Sequence, residues 1–262
     1  MKIFLTGGTG FIGSHLAEKA VKKGFKVFVY DRYNPNFNLG NLADSRFKKN
    51  IEFIFGDIRD YDSVNKSVKK VDYVFHLAAL IGIPYSYYSP LAYIKTNIEG
   101  TYNVFQSASE NKVKRIIYAS SAQTIEGYPL DIQVSEKMPT RPKNLYGVSK
   151  VFGESLGAYY AYQQNIEVIA IRIGAFQYQQ EYSQLSSRDL SAWSEPVDVC
   201  SLLINSIETD LNDETFVIAH GISNNRFMRL DIKETKKSLG YEPKSDAFEV
   251  WEKGFSDESI PK

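Results

Sequence analysis

Apolar residues in this chain gather in short, nearly unbroken runs at residues 3–5, 27–30, 51–55, 73–77, 115–119, 168–173 and 216–219. Runs of that length that do not alternate with polar residues mark strands covered on both faces, the pattern of a parallel sheet. Helical stretches separate them at 13–23, 90–111, 145–163 and 197–207. Strand–helix alternation of this kind predicts an α/β fold with a doubly wound parallel sheet. Beyond residue 173 the pattern changes. Residues 175–188 are polar, rich in Gln, Tyr and Ser, and show no clear period, and 233–239 reads as a short helix before a Gly240-Tyr241-Glu242-Pro243 turn. The expected division is a main domain over 1–173 and a small lobe over 174–262, interleaved with the last strands and too short to bury a core of its own.

Composition narrows the functional classes. The 262 residues suffice for one large domain or a domain with a small appendage. Lys plus Arg and Asp plus Glu both number 31, so there is no sign of a nucleic-acid or anionic-membrane surface. One cysteine, Cys200, excludes an intramolecular disulfide framework, suits a reducing compartment, and reads as a small buried apolar residue. No apolar run is long enough to span a bilayer, and the N-terminus opens directly on a strand-like run rather than a signal peptide, so a cytoplasmic location is expected. His15, His76 and His220 have no metal-ligand spacing with one another or with Cys200, so no metal is expected.

The first strand runs into Thr6-Gly7-Gly8-Thr9-Gly10-Phe11-Ile12-Gly13, which opens the first helix. Gly8, Gly10 and Gly13 fit the dinucleotide fingerprint in its strand–turn–helix context. Glycines allow the tight turn and the approach of backbone to a pyrophosphate, and the helix N-terminus supplies N–H groups and the positive end of its dipole. Gly7, Phe11 and Ile12 belong to the same cradle. Asp31 ends the second strand, where a carboxylate accepts from both hydroxyls of an adenosine ribose and repels a 2′-phosphate, which favours NAD over NADP. Arg32 beside it pulls the other way, since a cation there can pair with that phosphate. Asp57 after the third strand is placed for an adenine amino group and Ile58 for the ring face. Leu77, Ala78 and Ala79 end the fourth strand and let cofactor and backbone approach, and Ile173 closes the sixth.

Tyr146 and Lys150 lie four positions apart in a helical stretch, hence on one face. A phenol beside an ammonium is an acid–base device, because the nearby positive charge favours phenolate and lowers the Tyr pKa. A phenolate so poised can take a proton from a substrate hydroxyl. Ser121 ends the strand at 115–119, where a hydroxyl can hydrogen-bond the same substrate oxygen and stabilise its developing charge. Ser120 reads as structural. Asn97, in the 90–111 helix, could order the lysine through water.

With these motifs in place the chain resembles an extended short-chain dehydrogenase/reductase of the NAD-dependent epimerase/dehydratase family. The Gly-rich loop, Asp31, Gly56-Asp57, His76-Leu77-Ala78-Ala79, Asn97, Ser121 and the Tyr146/Lys150 pair fall in that family's order from Lys2 to about Ile173, with a fainter match beyond. The resemblance implies a Rossmann-type NAD-binding domain, a small C-terminal substrate lobe, NAD as cofactor, and Ser121, Tyr146 and Lys150 as catalytic residues. It also implies a homodimer through the two long helices, to which Val104, Phe105, Ala108, Tyr159 and Tyr160 would contribute.

Within the family, the chain is most similar to uronate dehydrogenases, on the strength of 120–129, 145–154 and Leu239-Gly240-Tyr241-Glu242-Pro243. Gly174-Ala175-Phe176-Gln177 stands where sugar-nucleotide enzymes usually carry an Asn-Val-Tyr-Gly-Pro-like stretch, and Ala122-Gln123 stands where dehydratases carry Asp-Glu. That similarity implies hydride transfer from a sugar or sugar-acid hydroxyl to NAD. Ser121, Ala122 and Gln123 would meet the substrate. Arg188, just before Asp189-Leu190-Ser191-Ala192-Trp193, would hold its carboxylate, a geometry that suits a guanidinium fork. Three features depart from the pattern: a long 174–188 loop, Gln123 in place of a common histidine, and an 80–90 segment that looks more like the sugar-nucleotide dehydratases. A nucleotide-sugar 4-epimerase or 4,6-dehydratase, and a non-catalytic dinucleotide-binding sensor, are the alternatives.

Overall fold

The structure is a computed structural model and describes residues 1–32, 39–177 and 186–249. Its elements follow in the order β1 (Lys2–Thr6), α1 (Phe11–Lys22), β2 (Lys26–Asp31), β3 (Ile51–Phe55), α2 (Tyr61–Ser67), β4 (Tyr73–His76), α3 (Ile83–Tyr88), α4 (Pro90–Tyr93), α5 (Gly100–Glu110), β5 (Arg115–Ser121), α6 (Leu145–Gln163), β6 (Glu167–Ile173), β7 (Ala175–Phe176), α7 (Ser187–Ser191), β8 (Trp193–Ser194), α8 (Pro196–Glu208), β9 (Phe216–Gly221) and α9 (Lys233–Leu239). Seven of the strands form one sheet in the order β3-β2-β1-β4-β5-β6-β9, every pair parallel. The chain leaves β1 toward one edge and returns past it to β4, so a crevice opens beyond the carboxyl ends of β1 and β4, where such sheets bind ligands.

Strand side chains alternate between two cores. Ile3 and Leu5 face one side with Leu16 of α1 and Leu202 of α8, while Phe4 faces the other with Val104 and Phe105 of α5 and Tyr160 of α6. The apolar runs are unbroken because both faces are covered. Val104, Phe105, Ala108 and Tyr160, expected at a dimer interface, are instead buried within the chain, and only Tyr159 of that set is exposed, at 50%. The reason is that α5 packs on the sheet through the very stripe that reads as an interface. The 90–111 helix is also not continuous α-helix: residues Ile94–Glu99 form a π-helical turn between α4 and α5, a distortion that gathers at functional sites. Short α2 and α3 escape the periodicity reading, although Asp60 caps α2 by accepting from the Ser63 N–H.

After β6, helix α8 and strand β9 join the main core. The lobe proper is a two-stranded β7–β8 ribbon with α7, over a small core of Ala122, Ile125, Val134, Ala192, Ile222, Leu230 and Ile232. Its core thus draws on residues before 173 as well as after. Residues 178–185 of the long loop, and 250–262 of the expected lobe, lie outside the described residues.

Helix α6 carries Tyr146 and Lys150 and is held to the sheet by two devices. Gly153 and Gly157 face Tyr118, Val168 and Phe216 so closely that a Cβ would overlap or crowd their side chains. One turn beyond Lys150, the buried Glu154 accepts from Arg172 Nε and Nη2, each at 2.8 Å, and from the Ser120 hydroxyl at 2.6 Å. Ser120 is therefore structural, as the sequence implies. Breaking such a pair strands a buried cation: Glu154→Ala should lower unfolding stability by about 3–5 kcal/mol and Ser120→Ala by about 1–2 kcal/mol, read from urea denaturation.

Candidate active site

The crevice is a cleft of about 710 Å³ running past the ends of the central strands, within the usual size of small-molecule sites. At one end lies the Gly-rich turn. Gly7 adopts φ +72°, and a Cβ there would press on the Ala78 backbone; a Cβ on Gly13 would overlap the Gly7 carbonyl. Gly10 starts α1 with no capping side chain, so the helix N-terminus opens onto the cleft. This is a cradle suited to a pyrophosphate. Phe11, Ile12, Leu77, Ala78, Ala79, Ile58 and Ile173 line the same cleft, as does Arg32. Asp31 also lines it and is held by Thr9, whose N–H and hydroxyl donate to Oδ2 at 3.0 and 2.5 Å. Gly8 packs against Val29 instead.

Two expected cofactor residues do not line the cleft. The Asp57 carboxylate is taken up by Arg59, whose Nε and Nη2 donate at 2.9 and 2.6 Å and hold it below the usual carboxylate range. The cleft wall there is formed by Gly56 and Ile58. Asn97 is buried in the π turn. Its Oδ1 accepts from the Leu80 N–H, and its Nδ2 donates to the Leu80 carbonyl and to the Ser149 hydroxyl. Both amide protons are engaged, which leaves none for a water leading to Lys150. Asn97 fixes the 80–83 wall of the cleft and the back of α6.

At the other end Ser121, Tyr146 and Lys150 converge. Asn144 caps α6 by accepting from the Gly147 N–H at 2.8 Å, which sets the first turn that carries Tyr146. Lys150 Nζ donates to the Ala119 carbonyl at 2.8 Å and lies 5.7 Å from the Tyr146 ring centre. The electrostatics differ from the sequence expectation that Lys150 simply lowers the Tyr146 pKa. Burial pushes the phenol up to about 12, with a Ser121 hydrogen bond pulling it back. Burial also pushes the Lys150 ammonium down to about 7. Desolvation is the dominant influence on both groups. A positive charge brought to this end of the cleft would favour the phenolate.

The substrate end differs too. Ala122, Gln123 and Arg188 line the cleft as expected. The Arg188 fork, however, is not open: Nε and Nη2 donate to the two Glu126 oxygens at 3.1 and 2.5 Å, and Nη1 donates to Asp189 at 2.8 Å. Sequence reasoning also misses Thr9, Tyr30 and Thr96 in the cleft wall. Thr9 sits inside the motif and could have been read from its hydroxyl beside Gly10. Tyr30 and Thr96 carry no local signal. Among the described residues no group of His, Cys, Asp or Glu is arranged to hold a metal ion, and no helix is long and apolar enough to cross a membrane.

Residues 3–218 match the model of the NAD dependent epimerase/dehydratase family, and the chain belongs to that family. It is 30% identical to a uronate dehydrogenase from Pseudomonas putida, over 94% of this chain and 85% of that one. It is likewise 30% identical to an L-arabinose 1-dehydrogenase (NAD(P)(+)) from Haloferax volcanii, over 79% and 87%. An NAD complex of a variant uronate dehydrogenase from Agrobacterium tumefaciens superposes with TM-score 0.76 at 25% identity, over 100% of this chain and 91% of that one. The chain spans about half the length, 45% to 54%, of several UDP-glucose 4-epimerases it matches.

Two outcomes test this geometry. Asp31→Asn keeps the Thr9 contacts in shape but removes the charge beside Arg32, so the ratio of NADP to NAD dissociation constants by calorimetry should fall about tenfold, equivalent to roughly 1.4 kcal/mol. Ser121→Ala removes the neighbouring hydroxyl that offsets the effect of burial on the Tyr146 phenol. A rate that needs phenolate rises with pH, so the ascending limb of the pH–rate profile should move to higher pH, with kcat reduced about 10²- to 10³-fold.

Proposed function

We propose that this chain is an NAD-dependent dehydrogenase that oxidises a hydroxyl of a free sugar or sugar acid, on the pattern of a uronate dehydrogenase. The observation that carries this reading is the convergence of Ser121, Tyr146 and Lys150 at one end of a cleft whose other end is a glycine cradle at a helix N-terminus. The cradle of Gly7, Gly10 and Gly13 would hold the pyrophosphate, Asp31 the adenosine ribose, and Lys150 the nicotinamide ribose. NAD, when bound, supplies the hydride acceptor and a positive ring. Tyr146 takes the proton of the substrate hydroxyl, and Ser121 hydrogen-bonds the same oxygen as its charge develops. Lys150, in its protonated form, lies close to Tyr146 and favours phenolate.

The reading extends to organisation. Residues 1–173 serve as the NAD-binding domain, and 174–262 as a small substrate lobe interleaved with the last strands, of which α8 and β9 pack into the main core. The location is cytoplasmic, supported by a single buried cysteine whose thiol burial pushes up to about 12. The assembly is a homodimer, supported by exposed Leu91, Tyr102, Tyr159 and Tyr162 on α4, α5 and α6.

Purified protein should form NADH from NAD⁺ in a panel of aldoses and hexuronates. Tyr146→Phe should lower kcat about 10²- to 10⁴-fold while leaving NAD binding in place. Conversion of a UDP-sugar with no net NADH would favour an epimerase instead, and a Tyr146→Phe protein with unimpaired function would favour a sensor.

A further inference from the structure

The inference rests on the dehydrogenase reading and concerns what the substrate end of the cleft accepts. Arg188 has five N–H groups. Nε–H and one Nη2–H go to Glu126, and one Nη1–H goes to Asp189. The Glu126 and Arg188 side chains are only 15% and 18% exposed, so this is a shielded pair rather than a chance surface contact. One guanidinium therefore faces two carboxylates before any substrate arrives. Among the described residues the next charge near it is Arg229, which has Asp131 beside it. Arg229 is itself tied to the carbonyls of Tyr128, Pro129 and Ile132 and holds the loop that follows Glu126. Two N–H groups of Arg188 remain for the cleft it lines, and the cluster behind them carries no surplus positive charge.

Gln123 has a fixed orientation for a separate reason. The Gly147 backbone N–H can only donate, so it fixes Asn144 Oδ1 as its acceptor. Asn144 must then present Nδ2 to Gln123, and that fixes Gln123 Oε1 as the acceptor, at 2.8 Å. What Gln123 has left for the cleft is its Nε2 donor pair. The site therefore offers neutral N–H donors from Gln123 and charge-balanced N–H donors from Arg188. Such donors suit hydroxyl and ring oxygens. A substrate carboxylate would meet Glu126 and Asp189 as like charges, or would have to displace Glu126 and leave it unpaired in a shielded position.

We propose that the substrate is a neutral sugar, not a sugar acid, and that Glu126 is the residue that sets this preference by filling the carboxylate position of Arg188 from within the chain. The reaction balances without another reactant. The carbinol C–H bond breaks with its electron pair passing to NAD⁺, which is reduced to NADH. The O–H proton goes to Tyr146, and the carbinol becomes a carbonyl.

The test compares kcat/KM for neutral aldoses (L-arabinose, D-xylose, D-galactose) with that for D-galacturonate and D-glucuronate, in wild type, Glu126→Gln and Asp189→Asn. Wild type should favour a neutral aldose about a hundredfold or more, the scale of a like-charge mismatch. Either variant removes one negative charge at nearly constant shape and should raise the uronate-to-aldose ratio about tenfold, mainly through KM. A wild type that prefers uronates overturns the inference and leaves the dehydrogenase reading standing. A ratio unmoved in folded variants overturns the role of Glu126. NAD binding without NADH formation from either class overturns both. The wild-type ratio decides even where a variant fails to fold.

Discussion

The buried contact of Glu154 with Arg172 and Ser120 is the constraint on which the site depends. Tyr146, Lys150 and Glu154 stand at successive four-residue intervals on one face of α6, and the third of them is fastened to β5 and β6 at once. A rotation or slide of the helix would break three charge-assisted bonds inside the fold, so the first two residues inherit a fixed reach. A buried ion pair adds little to net stability compared with a well-packed apolar substitute, but it admits few alternative arrangements. The glycines on the same helix act in the same direction. Because Gly153 brings α6 close to Tyr118, the Lys150 side chain reaches the Ala119 carbonyl, and its charge lies among the strand ends rather than in solvent.

That depth has a chemical consequence. Burial disfavours the charged form of both Tyr146 and Lys150, so the pair resists charge separation. The nearby His76 does not compensate: burial and the Lys150 charge push it down to about 3, and it is held neutral between the hydroxyls of Thr6 and Thr101. The partner that Lys150 has in the fold is a neutral carbonyl. A site of this kind gains most when a proton leaves the phenol as a further positive charge arrives nearby. Low local polarity is thus both the cost of the arrangement and the reason its charges act strongly.

Much of this was legible in the sequence, for identifiable reasons. The strand runs are unbroken because two faces are covered, and the Gly-rich turn is readable because its chemistry is local: Gly7 and Gly13 are required by contacts within a few residues or with one neighbouring strand end. The Tyr146/Lys150 spacing is readable because a helix converts four positions into one face. What could not be read depends on partners distant in the chain. Asp57 looks available until Arg59 closes on it. Asn97 looks like a surface amide until the π turn rotates it inward against Leu80 and Ser149. Val104, Phe105 and Ala108 form an apolar stripe whether it meets the sheet or a second copy, and only the packing of α5 tells which.

Arg188 shows this limit most sharply. A lone arginine near the substrate end suggests anion recognition, and that is sound for the residue taken by itself. Its meaning changes once Glu126, 62 positions earlier, supplies the carboxylate. Geometry and hydrogen-bond donors survive, while the net charge they present does not. Within one fold, a substrate preference can therefore change without altering the residue that touches the substrate, by placing or removing a counter-charge just behind it. Charge balance across a site, rather than the identity of its most conspicuous cation, decides whether the site prefers an ionised or a neutral ligand.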